Sequence, residues 1–483
     1  MNRPLRRLAG VVALLFLTLF ASTTHVQFFA AEDLRAKPTN SRQLYAELGR
    51  DRGPILVAGG GQVAVGTPVD DAYKFLRTYP SGPLYAHVTG YYSIRYGTSG
   101  VERAQNDVLS GTADRLFYRR LSDLVTGRQP RGGSVELTID PVVQQAASEA
   151  LGERKGAVVA LDPATGDVLA MVSNPTYDPN ALATHDAAAA QEAWQGLLAD
   201  EDDPLTNRAT GALYPPGSTF KIITSAAALE SGDYTADTLL DGPAELDLPL
   251  TSSTLGNDEG TECGPGGKVS LIDALEISCN TAFGSLGMTL GADALAEQSE
   301  RFGFGQELQI PLSVATSSFP TDLNAPQTAQ SAIGQFDVRA TPLQVAMISA
   351  AVANGGVLME PNVVRTVRDA DLDVVETRSP QELGRAVSEE TAATLTTMMR
   401  AVVDSGTGTR AQIEGVQVAG KTGTAQHGEG LPPYAWFTSF APADDPEVAV
   451  AVVIEDGGTV DSAYGGRLAA PVAKQVMEAV INR

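Results

Sequence analysis

Ser218 and Lys221 are spaced so that a hydroxyl and an amine come about one helical turn apart on the same face of a helix. A serine needs a base to become a nucleophile, and a lysine can be that base. The usual pKa of a lysine is about 10.4, so Lys221 must be desolvated or placed beside another cation to be neutral near pH 7. The spacing alone is weak, because it arises by chance in roughly every second such chain, and a surface lysine on an ordinary helix is the alternative.

Two further short patterns follow in the chain. Ser278-Cys-Asn280 is expected about once by chance, whereas Lys421-Thr-Gly423 is expected in only about one such sequence in twenty. Each pattern occurs once, and the order is S-x-x-K, S-x-N, K-T-G. The combination is therefore much more specific than its parts, and Lys421 is the leading candidate for the second cation.

Each pattern falls on an element that suits its chemistry. Ser218 precedes an Ala-rich helix predicted at 220–229, and backbone N–H groups at a helix start favour developing negative charge. Ser278 and Asn280 lie on or at the end of a helix predicted at 271–286. Lys421 and Gly423 lie on a strand, and we expect the glycine to leave room for a substrate along the backbone.

The order of predicted strands and helices along the chain indicates an α+β fold, in which a five-stranded antiparallel sheet is covered by helices. A hairpin is expected at 156–172, because two apolar runs flank the turn Asp162-Pro-Ala-Thr-Gly166. The other predicted strands are 416–424, 435–440 and 447–454, and the other predicted helices are 342–353, 389–403 and 468–481. This region, 146–483, is the expected catalytic domain. Residues 32–145 are mixed, with strand-like runs at 55–57 and 62–65, and predict a smaller non-catalytic pedestal domain.

The N-terminus predicts export. Arg3, Arg6 and Arg7 precede a stretch from Leu8 to Ala31 without Asp, Glu, Lys or Arg, which is long enough to cross a bilayer. We expect residues 1–31 to be a cytoplasmic tip and an uncleaved anchor, with the rest of the chain outside the membrane. A cleaved signal peptide is the alternative, since the solid apolar part is short.

Charge and cysteine usage narrow the class further. The formal net charge of −24 disfavours a nucleic-acid partner. Four histidines without metal-ligand spacing argue against a metal site, and no cofactor is expected. Cys263 and Cys279 can form a disulfide in an exported domain, although two free buried thiols are the alternative.

Longer segments around the three patterns resemble class B penicillin-binding proteins. The resemblance covers nearly the whole chain, including parts of the N-terminal region, and is carried by 207–221, 332–335, 341–344, 421–426, 435–437, Arg52-Gly-Pro-Ile55, and Gly97, Gly100, Glu102, Asn106, Leu109 and Gly111. It implies a peptidoglycan D,D-transpeptidase that is acylated by β-lactams and acts in cell division or cell shape. It also implies stem peptides as substrates, with a glycan polymerase and cell-division proteins as partners.

The resemblance also implies a role for each site residue. Ser218 would be acylated, Lys221 would accept its proton, and Ser278 would pass a proton to the leaving amine with Lys421 tuning that step. Asn280 would hold the substrate amide and help to position Lys221. The hydroxyls of Thr422 and Thr424 would bind the terminal carboxylate, beside Gly423. The backbone N–H groups of Ser218 and Thr424 would form the oxyanion hole.

Two other classes of function stay open at this point. A D,D-carboxypeptidase or a β-lactamase would hand the acyl group to water, although the long interval between Ser278 and Lys421 exceeds what we expect of a compact β-lactamase. A divisome scaffold or β-lactam receptor would need no turnover. His427, just past the K-T-G strand, is interpreted as a loop residue, with a role at the substrate rim as the alternative.

Overall fold

The computed structural model describes residues 3–29, 49–113, 131–258, 260–308, 310–428, 430–455 and 464–483. The strands in chain order are β1 Ile55–Leu56, β2 Gln62–Pro68, β3 Phe75–Thr78, β4 Tyr92–Ser93, β5 Gly97–Thr98, β6 Ser134–Leu137, β7 Gly156–Leu161, β8 Val168–Asn174, β9 Leu239–Asp241, β10 Glu245–Asp247, β11 Thr254–Gly256, β12 Lys268–Ser270, β13 Val357–Met359, β14 Val364–Arg368, β15 Val374–Thr377, β16 Glu382–Arg385, β17 Ala419–Ala425, β18 Tyr434–Ala441 and β19 Val448–Ile454. The α-helices are α1 Arg3–Thr24, α2 Gly82–Thr89, α3 Gly100–Ala104, α4 Asn106–Leu109, α5 Pro141–Leu151, α6 Asn180–Ala183, α7 Ala187–Ala199, α8 Lys221–Glu230, α9 Leu271–Glu276, α10 Asn280–Leu290, α11 Ala292–Arg301, α12 Ala325–Ser331, α13 Pro342–Ala353, α14 Glu389–Asp404 and α15 Gly465–Ile481.

The predicted five-stranded antiparallel sheet is present. Its strand order is β17-β18-β19-β7-β8, and every neighbouring pair is antiparallel. Three of the strands come from the C-terminal run and two from the hairpin at 156–174. The prediction of an α+β fold is therefore confirmed, and β17, the strand with the K-T-G residues, is an edge strand of this sheet.

Helices cover both faces of the sheet because its strands are apolar on both sides. Along β19, the residues Val448, Val450 and Val452 pack with helices α5 and α15, whereas Ala449 and Ala451 pack on the opposite side. Helix α13, which is buried almost throughout, crosses this second face. Small alanines let α13 approach the sheet closely, and the cleft residues are built on this side.

The helix predicted at 271–286 is not continuous. Helix α9 ends at Glu276 and α10 begins at Asn280, with Ser278 between them at a φ of 62°. A serine in the left-handed region is uncommon and costs free energy, so the surrounding contacts must hold it there. The apolar periodicity continues across the break, which is why the sequence pattern predicted one helix.

The pedestal has a sheet of its own, in the order β15-β14-β6-β1-β2-β3. Strands β14 and β15 lie far along the chain, and β14 pairs with β6 through Thr366 and Glu136. Two strands from the region assigned to the catalytic domain thus complete the pedestal sheet. The domain boundary at 145/146 stays a prediction.

A buried ionic network explains several residues of the N-terminal resemblance. The Glu102 carboxylate accepts from Nε of Arg52 at 2.6 Å and from Nε of Arg77 at 2.5 Å, and all three side chains are buried. Burial alone would raise the pKa of Glu102, but the two guanidinium groups hold it below its usual value. Asn106 accepts a further bond from Arg52 at 2.9 Å. These contacts therefore join β3, α3 and α4 to the segment around Arg52 that precedes β1.

Helix α1 and the short π-helical turn His25–Phe29 form one apolar segment of 27 residues. Its residues are exposed, and its length and composition suit a membrane span. Residues 30 and 31 of the predicted anchor lie outside the described part of the chain.

Candidate active site

Ser218 lies in a 3₁₀ turn, Gly217–Phe220, that leads directly into helix α8. Gly217 has a φ of 54°, and its N–H donates to the carbonyl of Gly334 at 3.0 Å. A Cβ atom at position 217 would lie 2.6 Å from the carbonyl oxygen of Thr424. The glycine therefore lets the serine turn pack against strand β17, and Ser218 itself is only half-buried.

Lys221 follows one turn later and is completely buried. Its Nζ donates to Oδ1 of Asn280 at 2.7 Å, to the carbonyl of Ser278 at 2.8 Å and to Oγ of Ser278 at 3.2 Å. Burial, and after it the charge of Lys421, hold the pKa of Lys221 well below its usual value. Lys221 can therefore be neutral near pH 7, as a general base must be. Desolvation lowers its pKa more than the charge of Lys421 does.

Lys421 is the other buried cation of the cleft. It lies on β17, and its Nζ donates to the carbonyl of Thr422 at 3.1 Å. Burial lowers its pKa to about 7, against an opposing effect of Asp258. Two ammonium groups in one desolvated site repel each other. One positive charge shared by the two lysines is therefore favoured over two. Such a pair can supply a neutral base near pH 7.

The break between α9 and α10 places the S-x-N residues opposite Lys221. The left-handed conformation of Ser278 lets both its carbonyl and its hydroxyl face the same ammonium group. A disulfide between Cys263 and Cys279 ties this break to the loop that follows β11. The loop and the disulfide therefore support a backbone conformation that serine alone would not adopt.

Strand β17 forms one wall of the cleft. Thr422 is buried and its Oγ1 lies 2.6 Å from Oγ1 of Thr407, whereas Thr424 is half-buried. A Cβ atom at Gly423 would lie 3.0 Å from Cγ2 of Thr219 and 3.1 Å from the carbonyl of Pro216. The absent side chain makes room for the serine turn, which differs from the expected reason that it clears a path for a substrate.

His427 follows β17, as predicted. Its ring stacks on Tyr434 with ring centroids 3.9 Å apart, and burial lowers its pKa. The interpretation as a loop residue rather than a residue of the substrate rim stays a prediction.

Sequence reasoning missed Asn257 and Asp258. Oδ1 of Asn257 accepts from the backbone N–H groups of Asn280 and Thr281, both at 3.0 Å, and so caps helix α10 from outside it. Asp258 accepts from Nδ2 of Asn280 at 3.2 Å. The available signal was an Asn-Asp pair in a Gly-rich loop shortly before the first of the two cysteines.

A serine at a helix start, a buried lysine one turn later and an edge strand are the arrangement of a serine acyltransferase of the penicillin-interacting class. The family described as penicillin binding protein transpeptidase domain matches residues 156–478, and the penicillin binding protein A dimerisation domain matches residues 52–135. The chain belongs to the penicillin-binding protein transpeptidases.

Full-length relatives agree with this assignment. The chain is 48% identical to the peptidoglycan D,D-transpeptidase PbpA of Mycolicibacterium smegmatis, over 100% of the chain and 99% of that protein, and 45% identical to PbpA of Mycobacterium tuberculosis with the same coverage. It also resembles the solved ceftriaxone acyl-enzyme complex of penicillin-binding protein A from M. tuberculosis, with a TM-score of 0.88 and 44% identity over 90% of this chain and 100% of that one. The predicted resemblance to class B penicillin-binding proteins is confirmed, and within that class the chain is similar to penicillin-binding protein A.

Proposed function

We propose that this protein is a peptidoglycan D,D-transpeptidase that cross-links stem peptides through an acyl-enzyme on Ser218. One observation carries the proposal: Lys221 is buried one turn from Ser218, and its pKa is held well below the usual value. Such a lysine can be neutral at working pH and can take the serine proton. Relatives whose printed names carry the same activity support the choice of substrate.

In the first half of the reaction, Lys221 takes the proton of Ser218 and Oγ attacks the carbonyl carbon of a D-alanyl-D-alanine bond. The backbone N–H groups of Ser218 and Thr424 bind the developing oxyanion, each contributing about 3 kcal/mol. Nζ of Lys221 already lies 3.2 Å from Oγ of Ser278. Ser278 can therefore pass the proton on to the leaving D-alanine nitrogen, with Lys421 tuning that transfer.

Substrate binding uses the other wall of the cleft. Because β17 is an edge strand, a stem peptide can lie beside it as an added strand. The hydroxyls of Thr422 and Thr424 bind the terminal carboxylate, and Asn280 holds the side-chain amide of the donor. In the second half, an acceptor amine attacks the ester carbonyl, its proton leaves by the same path, and Ser218 is released.

The setting of the reaction follows from the N-terminus. Helix α1 anchors the protein as a single-pass membrane protein, and the catalytic domain is extracytoplasmic. A glycan polymerase that supplies new strands and proteins of the division or elongation machinery are the expected partners.

Labelled penicillin tests the acyl-enzyme. We expect a stable adduct on Ser218 that is absent from Ser218→Ala, located by peptide mass spectrometry. Rapid release of the adduct would favour a β-lactamase instead. Incubation with lipid-linked precursor and a glycan polymerase should give cross-linked product, whereas trimmed but uncross-linked stems would identify a carboxypeptidase. Rescue of a deletion strain by Ser218→Ala would identify a scaffold.

A further inference from the structure

Asp258 lies at the mouth of the cleft in the loop after β11, outside the three motifs. Its carboxylate accepts from Nδ2 of Asn280 at 3.2 Å, and the same Nδ2 group also reaches the carbonyl of Gly256 at 3.3 Å. On the other side of the amide, Oδ1 of Asn280 accepts from Nζ of Lys221 at 2.7 Å. Asn280 thus bridges an exposed carboxylate and the buried base.

These contacts decide which way the Asn280 amide points. A side-chain amide has one acceptor and one donor end, and the two orientations differ in which end faces the lysine. With two oxygens holding Nδ2, only Oδ1 remains for Lys221. A flipped amide would instead place an N–H donor against an ammonium group that needs acceptors.

The position of Asp258 is held by its neighbours. Asn257 donates through Nδ2 to the carbonyls of Pro243 and Thr261, at 3.0 and 2.8 Å, and accepts from the N–H groups that begin α10. A few residues further along the same loop, the disulfide between Cys263 and Cys279 ties it to the residue just before α10. The carboxylate is therefore attached to a fixed piece of backbone although its side chain is exposed.

We propose that Asp258 is a positioning residue for the acylation step, which orients the Asn280 amide toward Lys221 and supplies the negative charge that balances the two cleft lysines. The inference rests on the proposed function, because it assumes that Lys221 is the base. Among the residues that the structure describes, three charged side chains face one another here: Lys221 from the start of α8, Lys421 from β17 and Asp258 from the loop. The segment Ser278–Asn280 contributes polar groups alone.

The charge has a direction that can be measured. Asp258 raises the pKa of both lysines, opposing the effect of burial. Removing the negative charge should therefore lower both pKa values. If acylation needs a neutral Lys221 and a protonated Lys421, its rate rises with pH as Lys221 loses its proton and falls as Lys421 loses its own. Both limbs of this bell-shaped profile should move to lower pH when the charge of Asp258 is removed. A role confined to loop stability would lower the profile without moving it.

The experiment measures the second-order rate constant of acylation by a fluorescent penicillin from pH 5 to pH 10. Asp258→Asn removes the charge but keeps an oxygen for Nδ2 of Asn280, so we expect both limbs to shift down by about 0.5 to 1 pH unit with a similar maximum. Asp258→Ala should show the same shift and a maximum roughly tenfold lower, because the amide also loses its partner. The shifts should shrink at 1 M salt.

Two variants control for net charge and for the loop. Asp247→Asn changes an exposed carboxylate on β10 and should match the wild type, while Asp258→Glu keeps the charge and should keep both limbs. Limbs that coincide with the wild type in Asp258→Asn and Asp258→Ala would overturn the inference, as would a shift in Asp258→Glu equal to that of Asp258→Asn. Failure of the proposed function would look different, because the wild type and Asp247→Asn would then lack the Ser218 adduct, release it rapidly or give no cross-linked product, whatever the pH limbs of the Asp258 variants.

Discussion

The pedestal and the catalytic cleft both bury charged side chains, but they balance those charges in opposite ways. In the pedestal, Glu102 lies between Arg52 and Arg77, and the opposite charges keep its pKa low. In the cleft, Lys221 and Lys421 are buried together, and burial lowers the pKa of each. The first arrangement keeps the Glu102 carboxylate ionised, whereas the second brings both lysines close to neutrality at working pH.

The difference shows what each region is for. A buried group with opposite charges around it does not change protonation state near pH 7, so it can hold strands and helices together but cannot transfer protons. Lys221 and Lys421 have no buried carboxylate beside them among the described residues, which is costly for stability, but they can accept and release protons at the pH of the reaction. Four variants, one of them double, test this contrast, taken from the largest expected effect to the smallest.

Lys221→Arg should reduce the acylation rate by at least about a thousandfold. A guanidinium group keeps its proton near neutral pH and cannot act as the base. The rate constant for a fluorescent penicillin measures the effect, with Lys474→Arg on the outer helix α15 as the matched control. Acylation at the wild-type rate in Lys221→Arg would remove Lys221 from the mechanism and with it the proposed contrast.

Glu102→Ala should lower the free energy of unfolding by about 3 to 5 kcal/mol, because two buried guanidinium groups lose their partner. Urea denaturation at pH 7 measures the loss, and the folded protein should still be acylated at nearly the normal rate. Glu297→Ala, which breaks an exposed pair with Arg301 on α11, should barely change the midpoint. A large fall in the acylation rate of folded Glu102→Ala would show that the pedestal network also serves the cleft.

The cleft has covalent support where the pedestal has ionic support. Replacing Cys263 and Cys279 by serine should cost about 3 kcal/mol in the chain-entropy description of a loop of this length. Acylation should fall several-fold, because the Ser278 conformation loses a support. The wild type treated with reductant should behave like the double variant. Equal unfolding and acylation with and without reductant would contradict this role of the disulfide.

Lys421→Met should raise the free energy of unfolding by about 2 kcal/mol while it slows acylation. The folded pKa of Lys421 is about 7, below the usual value of a lysine, so the unfolded chain binds more protons in the interval between them. Stability lost to this lysine therefore grows as the pH falls from about 10 to 7 and is constant below. Thermal unfolding at pH 6 and pH 9.5 should show a larger gain at pH 6. Destabilisation at both pH values would mean that Lys421 contributes more through packing than it costs through burial.

Most candidate residues of the cleft could be predicted from short sequence patterns. The three motifs identified Ser218, Lys221, Ser278, Asn280 and Lys421 from residue types and order. Local periodicity and turn residues also predicted the strand at 416–424 and the helix start after Ser218, whereas the edge position of that strand comes from the structure. The roles assigned to these residues remain proposals that the experiments above test.

Three other structural features could not be predicted from the sequence. The break at Ser278 is hidden by continuous apolar periodicity, and the close approach at Gly423 depends on a turn about 200 residues earlier in the chain. The role of Asp258 depends on the contact that the loop after β11 makes with Asn280 in the folded protein. Each of these depends on which distant segments meet, and no local propensity encodes that.

The sequence by itself determined the class of fold, the helices and strands that carry the motifs, and the candidate nucleophile with its base, because these depend on local periodicity and residue chemistry. Only the tertiary structure decided why Lys221 can be neutral, with burial acting before its neighbour Lys421. It also decided that strands β14 and β15 complete the pedestal sheet. The physical reason is the same in both cases, since desolvation and strand pairing are properties of segments brought together from distant parts of the chain.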